Sequence, residues 1–468
     1  MAFSVTTNYF DFDLWARLIA GMGVIDGGHV LTQDFLSYTP VHTWWDHEWG
    51  AGVIFYAFLK YFGPYSLIIL QALMMFGIFF TASKIIKLRT SNPYNITLYF
   101  LALMAVMQNL NNPIRCHMFS FLFFTIFIYI LEKVRKGNNK LLFLIPIIIL
   151  FWNNIHGGVV SGLGLIAMYA LGEFVDKKPF KQYLITLGVS LAVLFINPWG
   201  YDYIKFLLMA NTMKRPNIVE WWGLFSHFHL FKHIIFKLYM LMMFVFGAMK
   251  IKKENWQNAD KVKCIVLLTT LYLAIAHVKL LPFFVIASLC YMYEDFPQIK
   301  DKAITYSLIV ISLLTFVIKD FSIPSGMNTY PVKEVEFIKQ NNLKGKILVN
   351  FGYGSYVSYK LYPNNLIFMD GRYEEVYYDY MVPMLKEFFL VNPHWQEIFT
   401  YFPPDILIIE NTYPVYDKLK QEQNWKIVYE GKHFGVFLPA KISNKKFKLP
   451  SDDENYYKKT LFDTDIKF

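Results

Sequence analysis

Tyr65-Ser66-Leu67-Ile68-Ile69-Leu70-Gln71-Ala72-Leu73-Met74-Met75-Phe76-Gly77-Ile78-Phe79-Phe80-Thr81-Ala82-Ser83 is an uncharged run closed by Lys84, Lys87 and Arg89. A helix needs about 20 such residues to cross a bilayer, and cations at its end mark the cytoplasmic side. Similar runs follow at 94–110, 116–132, 141–155, 158–175, 183–198, 229–249, 262–277, 280–294 and 303–319. Several are short for a perpendicular span. The expected fold class is a polytopic α-helical membrane protein of about 10 to 11 spans with a C-terminal extracytoplasmic α/β domain. The expected regions are a first extracytoplasmic loop with interfacial helices (1–64), a transmembrane bundle (65–320), the α/β domain (321–440) and a flexible polar tail (441–468).

Composition agrees: 55% of residues are hydrophobic and only 17% charged, with a mean hydropathy of +0.32, whereas soluble domains carry about 25% charge. The net charge of +10 does not point to nucleic acid, because Lys and Arg cluster in short loops between apolar runs. The three cysteines sit in or beside apolar segments, and neither a disulfide framework nor a cysteine metal site is readable.

Alternate connections are basic: Lys133, Arg135, Lys136 and Lys140; Lys177, Lys178 and Lys181; Lys250, Lys252 and Lys253. The opposite connections are rich in Asn, His, Trp and Pro, and are expected outside. Ten crossings place both terminal regions on that side. No signal peptide precedes Asp11, so a missing first span is expected, with a reverse-anchored second helix as the alternative. Trp44-Trp45-Asp46-His47-Glu48-Trp49 and the short apolar run after it suggest an interfacial helix.

Beyond Val332 the pattern changes. Short β-rich runs at 346–350, 366–369, 406–409, 425–429 and 435–438 alternate with helical patterns at 331–341, 353–361, 374–390, 394–402 and 413–421. Continuous apolar strands separated by helices imply a largely parallel sheet, and the last two runs an antiparallel hairpin.

Asp11 and Asp13, two apart on the first outer loop, suit a divalent cation (Mg or Mn), or a general base beside an orienting carboxylate; Asp34 is the next acidic candidate. Solvated loop acids are the plain alternative. His47-Glu48 would open a zinc-protease motif, but position 51 is Ala51. Arg115, His117, Asn154, His156, Glu220 and Lys279 gather at outer span ends, where cations suit a phosphate; a plain aromatic and basic belt is the competing reading. Gly352-Tyr353-Gly354 lacks the third glycine of a dinucleotide loop. Asp370-Gly371-Arg372 follows a strand, where ligand sites of open sheets form.

These landmarks carry a resemblance. Asp11-Phe12-Asp13-Leu14-Trp15-Ala16-Arg17, Asp34-Phe35-Leu36-Ser37-Tyr38-Thr39 and Trp45-Asp46-His47-Glu48-Trp49 are followed by Arg115 with Phe119, Asn154-Ile155-His156-Gly157-Gly158, Asn197-Pro198-Trp199-Gly200, Asn350 to Tyr356, and Asp370-Gly371-Arg372. Together they resemble a bacterial multi-span family related to the C-type membrane glycosyltransferases. More distantly the chain is similar to the catalytic subunit of oligosaccharyltransferases, although the Trp-Trp-Asp motif of that subunit is missing. The resemblance implies glycosyltransferase C-type architecture in a bacterial inner membrane. It also implies sugar transfer from a polyprenyl-phosphate-linked donor to a glycan, lipid or protein acceptor on the extracytoplasmic face. In that reading Asp11, Asp13 and Asp34 are the catalytic set. Substrate is held by His47, Glu48, Arg115, His117, Asn154, His156, Glu220, Lys279, Tyr353, Asp370 and Arg372, and any metal by Asp11 and Asp13. A lipid-linked glycan transporter or a non-catalytic envelope assembly protein are the alternatives.

Overall fold

The computed structural model describes residues 10–90, 98–102, 104–105, 114–216, 218–254, 256–293, 306–307, 310–311, 313–314, 322–441 and 446–468. Helices α1 (Leu14–Ile25) and α2 (Trp49–Phe62) come first. They are followed by α3 (Tyr65–Arg89), α4 (His117–Arg135), α5 (Leu144–Ile155), α6 (Val159–Val175), α7 (Lys181–Val193), α8 (Tyr201–Thr212), α9 (Ile234–Glu254), α10 (Lys261–Ala276) and α11 (Leu281–Tyr291). Next come α12 (Val332–Gln340), β1 (Gly345–Val349), α13 (Phe351–Leu361), β2 (Asn365–Ile367), α14 (Met381–Leu390), α15 (Glu397–Tyr401), β3 (Ile406–Glu410), α16 (Pro414–Gln421), β4 (Trp425–Glu430), β5 (Phe434–Pro439) and α17 (Glu454–Thr460). The chain divides into two compact units, 67–321 and a discontinuous one of 8–66 with 322–468.

In the first unit α3, α4 and α9 are long and apolar enough to cross a membrane. Among the described residues these three are far fewer than the ten to eleven spans expected. The runs at 141–155, 158–175, 183–198, 262–277 and 280–294 do form helices, α5, α6, α7, α10 and α11. Their lengths explain the shortfall: α7 has 13 residues, so it is about 20 Å long against a hydrocarbon core of about 30 Å. The expected spans at 94–110 and 303–319 lie largely outside the described residues. Large apolar side chains face outward, including Ile185 on α7 and Leu238 and Phe244 on α9, as a surface solvated by lipid requires. Cations close α3 (Lys87, Arg89) and α4 (Lys133, Arg135), where they complement the helix dipoles. Arg135 gathers three helix ends: its guanidinium donates to Glu173 at 2.6 Å, to both oxygens of Asp260 at 2.9 and 3.0 Å and to Glu132 at 3.2 Å. Arg89 reaches Glu132 at 3.5 Å. α6 and α10 cross at Gly172, where a Cβ would lie 2.6 Å from the Val262 Cα.

The second unit is built on a five-stranded sheet of order β2-β1-β3-β5-β4. β1 pairs in parallel with β2 and β3, and β5 pairs antiparallel with β3 and β4. The sheet is thus mixed, with the expected hairpin at one edge. Ile347, Leu348, Val349, Ile406 to Ile409, Val436 and Phe437 are its buried core. The N-terminal segment extends the other edge: Tyr38 N–H donates to the Ile367 carbonyl at 3.0 Å and Ile367 N–H to the Leu36 carbonyl at 2.9 Å. This edge pairing folds residues 8–66 with the C-terminal region. α1 and α2 cross at two glycines, since a Cβ on Gly21 would sit 2.6 Å from the Gly52 carbonyl carbon.

Two sequence expectations change here. The helix expected over 374–390 begins only at Met381, because residues 375–376 are drawn into pairing with the N-terminal segment. Trp45 N–H donates to the Glu375 carbonyl at 3.1 Å and His42 N–H to the Val376 carbonyl at 3.0 Å. The tail expected to be flexible is packed over 446–468: Tyr457, Leu461 and Ile466 are buried, and the Lys360 ammonium donates to the Thr460 and Asp463 carbonyls, both at 2.7 Å.

Candidate functional site

The second unit gathers charge in its interior. Arg17, on the buried face of α1, pairs with Asp46, with Glu48 at 3.3 Å and with Glu375 at 2.8 Å. His47 Nδ1 lies 3.0 Å from Glu375. Burial alone would lower the His47 imidazole; Glu375 and then Glu48 outweigh it and hold it up at about 9. Burial pushes the Asp46 carboxyl up to about 6 against the pull of Arg17. Glu375 stays low in spite of burial, because Arg17 and His47 flank it.

Trp44 joins this network to a second. Its indole Nε1 donates to Glu375 at 3.2 Å, and its ring carries the Arg372 guanidinium 4.5 Å from the centroid. Arg372 is fully buried and paired with Asp34 at 2.6 Å and Asp370 at 2.9 Å. Its Nη2 donates to the Tyr377 hydroxyl at 3.2 Å. Burial opposes its charge, and Asp34 and Asp370 overcome that. Asp34, a candidate catalytic acid by sequence, is thus a buried partner of Arg372. Burial works against its ionisation, but Arg372 holds its carboxyl below the ordinary value.

Asp11 and Asp13 are not equivalent. Asp11 is buried and its carboxylate accepts the Asp13 N–H at 3.0 Å, so it shapes the turn into α1. Asp13 is half-buried and faces Gly371, where an added Cβ would meet its carboxylate at 3.0 Å. Asp13 therefore borders the strand-end loop Asp370-Gly371-Arg372. Tyr353, at the start of α13, donates to Glu410 at 3.1 Å at the end of β3, and Asn350 Nδ2 donates to the Tyr413 hydroxyl at 2.9 Å. This pair of contacts spans the carboxyl ends of β1 and β3.

Among the described residues the group with metal-ligand geometry is His47, Glu48 and Glu375, whose donor atoms lie within 4.8 Å of one another. Those donors are already engaged: both carboxylates pair with Arg17, and the imidazole holds a proton up to about 9. A divalent cation there would have to displace a guanidinium and a proton. Asp11 and Asp13 do not form part of that group.

The first unit brings together five candidates from four turns. Arg115 donates to Glu220 at 2.9 Å and Lys279 lies 3.3 Å from the same carboxylate. His117 is within electrostatic reach of Arg115, Lys279, His156 and Glu220. Burial would raise the Glu220 carboxyl, but Arg115 and then Lys279 hold it well below the usual range. Trp221 is flanked by the Arg215 guanidinium at 4.5 Å and the Lys279 ammonium at 5.1 Å. Gly158 N–H donates to His156 Nδ1 at 2.8 Å, and the Ser120 hydroxyl lies 2.7 Å from the same nitrogen. Asn154 is not brought to this cluster by its amide nitrogen, which bonds to the Leu150 and Ile196 carbonyls at 2.9 and 3.0 Å.

Sequence reasoning missed Glu375, the carboxylate that Arg17, His47 and Trp44 share. The available signal was the Glu374-Glu375 pair just after Asp370-Gly371-Arg372. Arg215 was also missed. No protein-family model matches this chain, and comparison with curated proteins finds no relative.

Proposed function

We propose that this chain is a membrane glycosyltransferase that moves a sugar from a polyprenyl-phosphate-linked donor to a hydroxyl-bearing acceptor. The supporting observation is the convergence of Arg115 and Lys279 on the single carboxylate of Glu220 at the ends of apolar helices. Two cations held by one carboxylate form a pair that a lipid phosphate can take over, since charge-assisted contacts to phosphate oxygens replace those to the carboxylate. In this reading the ten-span C-type architecture and an extracytoplasmic α/β unit belong to the same proposal.

The chemistry is a displacement at the anomeric carbon. The acceptor oxygen bonds to that carbon, the bond from carbon to phosphate oxygen breaks, the lipid phosphate leaves, and Asp13 takes the acceptor proton. Asp13 is chosen over Asp11 and Asp34 because Asp11 is buried and holds the α1 turn, while Asp34 is committed to Arg372. A divalent cation at Asp13 remains part of the proposal as an aid to acceptor ionisation. The buried ion pairs around Arg17 and Arg372 favour one second reading, a non-catalytic outer unit that binds a partner.

Mass spectrometry of lipid-linked and envelope glycans separates the two. In cells lacking the protein, a sugar is lost and its lipid-linked donor accumulates. Wild type restores the profile, whereas Asp13→Asn at equal membrane abundance does not. Equal rescue by both versions rejects the transferase reading.

A further inference from the structure

We infer that Glu334 makes the packing of α12 on the β4–β5 hairpin sensitive to pH: a protonated carboxyl holds the two together, and its ionisation loosens them. The device is independent of the transferase reading, and every group involved belongs to the second unit.

The geometry starts at the hairpin turn, which closes where Gly431 N–H donates to the Phe434 carbonyl at 2.8 Å. Glu334, in the first turn of α12, is only 3% exposed and meets that turn directly. A Cβ on Gly431 would overlap the Glu334 Oε1, so the missing side chain is what lets the carboxyl pack there. On the next turn of α12 the Phe337 ring stacks on Tyr429 of β4, with centroids 5.0 Å apart. Helix and hairpin thus share one contact that is part apolar and part carboxyl.

The groups that face Glu334 come from four other elements. Tyr356 of α13, Tyr416 of α16, Tyr429 of β4 and Tyr457 of α17 lie within its electrostatic reach, and burial raises all four phenols above their ordinary value. None of them supplies charge near neutral pH. Lys333, on α12 itself, is the cation that favours the carboxylate, and its ammonium pairs with Asp452. Lys432 and His433 follow Gly431 in the turn and do not shift the carboxyl. The neighbouring acids are engaged elsewhere: Glu336 accepts from Gln340 at 2.7 Å and from the Tyr456 hydroxyl at 3.0 Å, and Glu430 pairs with Lys420 at 2.6 Å. Burying a carboxylate without a close counter-charge is costly. Burial therefore outweighs Lys333 and pushes the Glu334 carboxyl from 4.5 up to about 7. A carboxyl raised in this way keeps its proton where the unfolded chain has lost it. The contact is strongest below pH 4.5, weakens as pH rises to about 7, and stays weak above.

The test is hydrogen exchange of the full chain in detergent, read by mass spectrometry at about pH 5 and about pH 8 and corrected for intrinsic rates. In wild type, peptides covering 332–340 and 425–439 lose roughly a hundredfold in protection between the two conditions. Glu334→Gln keeps the shape of the side chain but cannot ionise, so protection of both peptides stays level. Gly431→Ala crowds the carboxyl and lowers protection of the same peptides at either pH. Equal wild-type protection at the two pH values overturns the inference, however the variants behave. A wild-type loss that Glu334→Gln reproduces also overturns it, because the titrating group would then lie elsewhere, as at Asp46 or His47. Glycan profiles play no part in any of these outcomes.

Discussion

Arg372 shows what a buried charge demands of its neighbours. It has no solvent exposure and is held by Asp34, Asp370 and the Trp44 face, so its removal leaves two carboxylates buried without a counter-charge. Arg372→Met should cost about 3–5 kcal/mol, seen as loss of hydrogen-exchange protection in peptides covering β1 and β2. Asp34→Asn leaves Asp370 in place and should cost less. His47 gives a pH signature. Its imidazole is raised from 6.5 to about 9, so the stabilisation is fully present below pH 6.5 and lost as pH rises through about 9. The amount is of order 3 kcal/mol. Protection of the 36–48 segment should fall across that window, and His47→Gln should flatten the profile. Asp34, Asp370 and Arg372 were recognisable in the sequence as site candidates; that they satisfy one another was not. Arg17 and Glu375 are 358 residues apart, and charge patterns carry no information on pairing at that separation.

At the level of elements, two close crossings depend on glycine. A Cβ at Gly21 or Gly172 would press on backbone atoms of the facing helix, which no rotamer change relieves. Gly21→Val should destabilise the α1 and α2 pair by about 1–3 kcal/mol, measured as earlier loss of protection in α1 than in β3. Strand positions were legible because apolar residues there run without interruption, as at 406–409. The start of α14 was not, because Glu375 and Val376 answer to backbone groups of Trp45 and His42. Membrane helices were legible as apolar runs, but hydropathy does not set where a helix stops. α5, at 12 residues, is shorter than the run at 141–155 that implied it.

For the whole molecule, the change in character near residue 320 was plain from composition, and the two compact units divide at 321/322. What composition concealed is that 8–66 folds with the C-terminal region, since edge pairing with β2 is a matter of backbone geometry. The ordered tail has the same origin: Tyr457 and Leu461, four apart, are buried among a mostly polar sequence. The central claim concerns a lipid phosphate at Arg115 and Lys279, and affinity of the purified full chain for undecaprenyl monophosphate tests it most directly. Arg115→Gln/Lys279→Gln should weaken binding by about tenfold or more. Glu220→Gln, which removes the competing carboxylate, should strengthen it, and Asp13→Asn should leave it unchanged. Affinity that is the same in the double variant and in wild type would contradict the account.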